Sequence, residues 1–181
     1  MHNRSELNRG NDVAIWRGDR LERVQRNVRS RYSTLLIAQL LVTPGTPSIT
    51  HLALGSGIGN GTLALPQAPN PDGGALYNEV ARVSVTSRAF DDPTNAEGDT
   101  FSDGVRTNRI LVHTVVSAAV SQHLITEVGL FGGANASTEG TMFAWSTFPV
   151  VDNRLGGDDP LAPQDLTFDW VLKFPLIAVE E

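Results

Sequence analysis

Apolar residues recur at helical spacing in the first quarter of the chain. Between Asp19 and Leu41 they fall on one stripe, three, four or seven positions apart, at Leu21, Val24, Val28 and Leu35. Arginines occupy the remaining faces, and a stretch rich in proline and glycine follows at 44–47. This period predicts an amphipathic α-helix that ends before Pro44.

Beyond residue 47 the apolar positions alternate, as they do in half-buried strands. Six strands are predicted, at Ser48–Leu54, Glu79–Phe90, Val105–Ser121, His123–Phe131, Gly140–Val151 and Leu166–Leu176. Every even position from Leu166 to Leu176 is apolar, whereas Thr167, Asp169 and Lys173 are expected to face outward. The pattern therefore predicts a mainly β protein, an antiparallel β-sandwich or partly open barrel preceded by an N-terminal arm and one α-helix.

The change of period near residue 46 predicts two parts. Residues 1–46 form an arginine-rich arm and helix that docks on a partner, and residues 47–181 form an antiparallel β-domain. Val13, Ile15 and Trp16 give the arm a small apolar anchor. A tryptophan in such an arm is more often a docking anchor than a free ring.

Charge is distributed unevenly in this chain of 181 residues, whose net charge is −6. Residues 1–31 hold eight of the 14 basic residues against four acids. The arm could bind nucleic acid, another protein's acidic surface, or an acidic patch on a neighbouring copy. The interspersed acids disfavour nucleic acid, which requires an unbroken positive field. The predicted docking residues are Trp16, Arg17, Arg20, Arg23 and Arg26.

The sequence offers no pattern typical of catalysis or metal binding, and we expect neither an enzyme nor a cofactor or metal site. It contains no cysteine, which excludes disulfides, thiolate metal ligands and a thiol nucleophile. The four histidines lack metal-ligand spacing, and there is no nucleophile elbow or Walker lysine. The acids of the loop at 91–104 match no calcium loop and are expected to be solvated. The glycines of the loop at 55–74 lack the dinucleotide-binding spacing.

One acid, Glu127, lies in the middle of an otherwise apolar predicted strand. Burying an unpaired carboxylate is costly, so it must face water or find a partner. We hypothesise that Glu79 or Glu127 forms a structural ion pair with Arg82 or Arg88 on a neighbouring strand.

Three segments carry a family resemblance: Ile49–Gly57 (ITHLALGSG), Ala75–Arg82 (ALYNEVAR) and Ile125–Phe131 (ITEVGLF). In this order they resemble the N-terminal attachment domain of tailed-phage tail-fibre and tail-collar-type proteins. That family has an I-T-H-x-A-x-G-x-G strand after a helix, then a T-A-L-x-N-E-x-x-R segment and an I-x-E-V-G-L-F-D strand. The resemblance covers about residues 32–151. It departs from the family pattern at Gly132, where the family has an acid, and in its expanded loops.

The resemblance implies a structural virion protein that acts as a baseplate or tail-fibre attachment component, in a phage tail or a related contractile injection machine. Its partners would be other tail proteins and further copies of itself, with no membrane and no nucleic acid. No apolar leader segment is recognised at the N-terminus, so assembly in the host cytoplasm is expected. Two alternatives stay open. One is a head–tail connector that contacts DNA or the portal. The other is a carbohydrate-binding sandwich that uses Phe143, Trp145 and Trp170.

Overall fold

The computed structural model describes residues 12–30, 32–34, 37–38, 48–57, 74–91, 108–133, 135–157, 159 and 162–174. These residues form ten strands: β1 (Asp12–Arg17), β2 (Arg20–Arg26), β3 (Val28–Arg29), β4 (Ile49–Gly55), β5 (Glu79–Ser84), β6 (Ser87–Phe90), β7 (Arg109–Val116), β8 (Leu124–Gly132), β9 (Thr141–Asp152) and β10 (Leu166–Lys173). The described helical residues are 32–34 and 37–38.

The strands form two five-stranded sheets in which all neighbours are antiparallel. The β10 sheet has the order β2-β1-β10-β7-β6, and the β8 sheet has the order β3-β9-β8-β4-β5. The two sheets do not close into a barrel. The predicted mainly β class and the sandwich architecture are therefore confirmed.

The core lies between the inner faces of the two sheets. The alternation in β10 is confirmed, because Leu166, Phe168, Trp170 and Leu172 all belong to the main core cluster and are completely buried. Val128 and Leu130 of β8 meet them from the opposite sheet. The sequence pattern alone therefore identified the residues with which β10 contributes to the core between the two layers.

The chain passes from one sheet to the other on both flanks of the sandwich. On one flank β2 and β3 are joined through Asn27, whose side-chain amide donates to the carbonyl of Val171 at 3.4 Å. On the other, β5 continues into β6. There Val85 N–H donates to the carbonyl of Thr50 at 2.8 Å, and Thr86 N–H donates to the carbonyl of His113 at 3.0 Å. The predicted strand Glu79–Phe90 is thus two strands, because the chain changes sheets in its middle.

The predicted helix at 19–41 is wrong for its first half. Arg20–Arg26 is strand β2, which pairs with β1 through a hairpin whose two-residue turn is Gly18-Asp19. Gly18 has φ +54°, a conformation that glycine adopts at little cost and that two-residue hairpin turns require. A bulge in the ladder at Ile15/Trp16 displaces the strand alternation and leaves a spacing that resembles a helical stripe. The apolar half, 35–36 and 39–41, lies outside the described residues.

The predicted boundary between an N-terminal arm and a β-domain is also corrected. Strand β1 lies between β2 and β10, and its Val13 and Ile15 are completely buried in the core. Residues 12–29 are therefore part of the sandwich. Within this range, β1 is the strand that pairs with β10 on one side. The predicted extension of the arm at 1–11 and the boundary itself at 46/47 fall outside the described residues.

Candidate functional site

Glu127 is buried on the face of the β8 sheet that points away from the core. Its neighbour Val128 belongs to the core cluster, and the alternation turns Glu127 to the opposite side. Ile125, two positions before Glu127, also reaches the core, because the β8–β9 register shifts between these two residues. The side chain is nevertheless 1% exposed. The segment that precedes β5 passes over it, and backbone N–H groups of that segment supply the hydrogen bonds that the carboxylate needs.

The two carboxylate oxygens of Glu127 each accept a backbone hydrogen bond. Tyr77 N–H donates to Oε2 at 3.1 Å, and Asn78 N–H donates to Oε1 at 3.0 Å. Hydrogen bonds to an ionised acceptor are roughly twice as strong as neutral ones. The buried acid is thus satisfied by main-chain donors rather than by a cation.

The hypothesis that Glu127 pairs with an arginine is therefore wrong. Arg88 instead donates to Ser48 Oγ at 2.7 Å and to the carbonyl of Ile49 at 2.6 Å. The pair of Glu79 and Arg82 does form, but within β5 and not across strands, with a shortest N–O distance of 2.5 Å. The sequence thus predicted one of the candidate pairs and missed the backbone partners of Glu127.

Two glycines make room for the Glu127 side chain. A Cβ atom on Gly55 would lie 2.4 Å from Glu127 Oε1, and one on Gly57 would lie 2.6 Å from the same atom. Real Cβ atoms essentially never come so close. Gly55 is the register partner of Glu127 in the β4–β8 ladder, so even a methyl group would push the carboxylate away from its donors.

The same segments are also joined directly to each other. Ser56 N–H donates to the carbonyl of Asn78 at 2.9 Å, and the Asn78 side-chain amide donates to Ser56 Oγ at 2.7 Å. We call this arrangement of Gly55, Ser56, Gly57, Tyr77, Asn78 and Glu127 the Glu127 junction. It brings together one part of each of the three segments that carry the family resemblance.

An apolar cluster lies beside the junction on the same outer face. It comprises Ala53, Leu76, Phe131, Met142 and Trp145. The ring of Tyr77 packs edge-on against Trp145 with a centroid distance of 4.9 Å. Tyr77 thus fixes the segment by its backbone through Glu127 and by its ring through Trp145.

The aromatic residues suggested for a carbohydrate platform are not exposed. Trp145, Phe143 and Trp170 are all buried, the first in the outer cluster and the other two in the core. Stacking on a sugar requires an accessible ring face, which these three side chains lack.

Arg82 links β5 to the turn between β8 and β9. Its guanidinium lies 3.9 Å from the centroid of the Phe131 ring. It also donates to the carbonyls of Ala136 at 2.8 Å and Glu139 at 2.7 Å, in addition to its pair with Glu79. One planar, forked cation thus satisfies an acid, two carbonyls and a ring.

We expect Arg82→Lys to lower the free energy of unfolding by about 1–2 kcal/mol, because an ammonium ion cannot reach these partners at once. Urea unfolding measures the loss, and faster amide exchange at 136–140 would locate it. The control is Arg154→Lys, whose ion pair with Asp152 is largely exposed and should contribute less than about 1 kcal/mol. Equal effects of the two substitutions would contradict this role for Arg82.

Two of the five predicted docking residues are buried. Trp16 is 5% exposed and lies in a cluster with Ala14, Leu111 and Val171 on the outer face of the β10 sheet. Arg17 is 3% exposed, and its guanidinium contacts Glu22 at 3.3 Å and Asp159 at 3.1 Å. The prediction that these two side chains contact a partner is corrected, because β1 is an internal strand.

The other three arginines are exposed along the edge strand β2. Arg20 pairs with Glu22 and Asp159, and these contacts, the hydrogen bond to Glu22 foremost, raise the pKa of Arg20 above its ordinary value. Arg23 donates to the carbonyl of Glu22 at 2.9 Å. Arg26 is exposed at the end of the strand. We call Arg20, Arg23 and Arg26 the arginine edge.

Asp169 and His113 form a pair that sequence reasoning missed. Asp169 was expected to face solvent, but it is completely buried on β10 and lies 2.7 Å from Nδ1 of His113 on β7. The register places the two residues directly opposite each other. The pKa of His51 on β4 is lowered, mainly by burial of the side chain and to a smaller extent by the charge of Arg82. Both effects favour the neutral imidazole.

Within the ranges described above, no group of three or more histidine and acidic side chains could hold a metal ion. No helix among those residues is long and apolar enough to cross a membrane. The acidic loop from 92 to 104 and most of the glycine-rich loop, 58–73, lie outside them. No protein-family model, no curated protein and no solved structure matches this chain.

Proposed function

We propose that this chain is a structural component of a phage tail or a related contractile injection machine, where it serves as a baseplate or tail-fibre attachment piece through protein–protein contacts. The observation that carries the proposal is the Glu127 junction. The three sequence segments that resemble tail attachment domains are far apart in the chain, yet each contributes atoms to this one contact.

The chemistry of the junction supports a structural rather than a catalytic role. A carboxylate that is 1% exposed and accepts two backbone hydrogen bonds has little access to a substrate. Two glycines with no space for a side chain enclose it. A residue that fixes three separate segments suits a protein whose task is to present a rigid surface to its neighbours.

The arginine edge is the surface that we propose contacts a neighbouring tail protein. It lies on β2, the last strand of its sheet. Its three guanidinium groups alternate with only one acid, Glu22. Arginine forms planar bidentate pairs with carboxylates and is enriched in interfaces. An acidic surface on the neighbour would complement this edge.

The test is incorporation of variants into tail particles. We expect Arg23→Gln combined with Arg26→Gln to reduce incorporation at least about tenfold, the equivalent of about 1.4 kcal/mol, because both side chains are exposed and neither forms an ion pair with another described residue. Quantitative mass spectrometry of purified particles measures it. A truncation before Asp19 would be a poor test, since it removes β1.

The matched control is Gln122→Glu combined with Ser137→Glu. It changes the net charge by the same amount at two exposed positions away from β2. Normal incorporation of the arginine variant would refute docking through this edge. Absence of the wild-type protein from tail particles would refute the tail role itself. Steeply salt-dependent DNA binding by the purified protein would favour the connector alternative instead.

A further inference from the structure

Strand β6 leaves one edge of the β10 sheet open. It is the last strand in the sheet order, and all four of its residues, Ser87–Phe90, are exposed. Phe90 is 49% exposed, a large fraction for a phenylalanine in a strand. An exposed edge strand presents unpaired N–H and C=O groups that another strand can pair with.

The ladder with β7 shows which backbone groups are free. Asp91 N–H donates to the carbonyl of Arg109 at 3.0 Å, and the β6–β7 register continues from there without a shift. Hydrogen-bonded and non-hydrogen-bonded pairs alternate in an antiparallel ladder. Ser87 and Ala89 therefore direct their backbone groups at β7, whereas Arg88 and Phe90 direct theirs at the open edge.

The other edges in the described part of the chain are protected against strand addition. Strand β2 carries the exposed arginine edge, and β3 has only two residues. Strand β5 carries the charged pair of Glu79 and Arg82, and charged side chains are one of the features that blunt edge strands. Strand β6 contains no proline, and its only charge, Arg88, is turned back onto Ser48 and Ile49. It lacks the protection that natural edge strands use.

We propose that β6 pairs antiparallel with β6 of a second copy of this chain, about a twofold axis that passes through Ala89. The free backbone groups allow three registers: Arg88 opposite Arg88, Phe90 opposite Phe90, or Arg88 opposite Phe90. The first places two like charges together, which is unfavourable. The second pairs only the end of the strand. The third pairs the whole strand.

The register centred on Ala89 also matches side chains. Each Arg88 lies opposite the other copy's Phe90, and the apolar stem of the arginine can cover the ring while its guanidinium stays on Ser48 and Ile49. The small Ala89 side chains face each other. Both half-exposed Phe90 rings become covered, which removes apolar surface from water.

The dimer is expected to depend on concentration. Two strands of four residues bury less than the roughly 1,200 Å² that standard stable interfaces bury. Pairing is therefore weak for free chains and is strengthened where an assembly holds copies close together. This contact does not depend on the tail role, and a failure of either leaves the other standing.

Cysteine cross-linking tests the register in a chain that contains no cysteine. In the proposed register Ala89 faces its own copy in a non-hydrogen-bonded pair, with Cα atoms about 4.5 Å apart. That distance suits a disulfide. We expect Ala89→Cys to form a covalent dimer under mild oxidation at least about tenfold faster than the control Val24→Cys. Val24 is an exposed residue on β2, the opposite edge of the same sheet.

Equal rates for the two variants would overturn the proposal, as would no dimer from Ala89→Cys. Faster cross-linking through Arg88→Cys than through Ala89→Cys would overturn the register. Phe90→Pro gives an independent readout, because it removes an N–H that points to the open edge and leaves the β7 ladder intact. Sedimentation should show less self-association for Phe90→Pro than for the wild type at equal concentration. Unchanged self-association would also contradict the pairing.

Discussion

Glu127→Ala is expected to lower the free energy of unfolding by about 2–4 kcal/mol, a large part of the stability of a domain of this size. The substitution leaves the N–H groups of Tyr77 and Asn78 without their acceptor. Each unsatisfied buried donor costs about 1–3 kcal/mol, and water that enters the vacated space recovers part of the loss. Urea unfolding, followed by tryptophan fluorescence, measures the change.

A milder substitution distinguishes hydrogen bonding from packing. Glu127→Gln keeps the volume and one acceptor oxygen but turns an amide NH₂ toward one backbone donor, so its effect should fall between those of alanine and the wild type. Glu139→Gln serves as the control, because Glu139 is exposed in the turn before β9 and should change stability by less than about 0.5 kcal/mol. If Glu127→Ala were as mild as this control, the structural role of the carboxylate would be refuted.

Gly55→Ala is expected to lower the free energy of unfolding by about 1–3 kcal/mol, because overpacking a filled site displaces its neighbours. The new methyl group would lie 2.4 Å from Oε1 and 2.5 Å from Cγ of Glu127. Gly74→Ala is the matched control, since among the described residues a Cβ there meets only the Tyr32 ring at 3.7 Å, an ordinary contact. The same unfolding experiment compares the two glycines.

A double-mutant cycle tests whether the clash is with Glu127 itself. In the Glu127→Ala background the atoms that crowd Gly55 are absent, so Gly55→Ala should cost at least about 1 kcal/mol less than in the wild type. Strictly additive effects would show that the cost of the methyl group arises from the backbone of β4 and not from the carboxylate.

The sandwich was predictable from the sequence where apolar residues alternate cleanly. In β10 every second residue is apolar, and the period of two determines both the element and the face that points into the core. Strand β2 was not predictable in this way, because its bulged pairing with β1 gives Leu21 and Val24 a spacing that also occurs in a helix. The Gly18-Asp19 pair was the one local signal that indicated a hairpin instead.

The partners of Glu127 could not be predicted from residue types. Its donors are backbone N–H groups 50 and 49 positions away in the sequence, and any non-proline residue carries such a group. The glycines at 55 and 57 gave a hint, because their alternation fits neither a phosphate-binding loop nor a regular strand. Only the three-dimensional register shows that they make space for a carboxylate.

The pairing of β1 with β10 sets the order in which the chain can fold. Among the described strands β1 is synthesised first and β10 last, and contacts on this flank join residues as distant as Asn27 and Val171, 144 positions apart. Loop-closure entropy must be overcome before such contacts stabilise anything, so folding is expected to be slow, on the order of milliseconds to seconds. On the ribosome, β1 must wait unpaired on one side until β10 emerges. Productive folding of the sandwich would then start only after β10 has emerged.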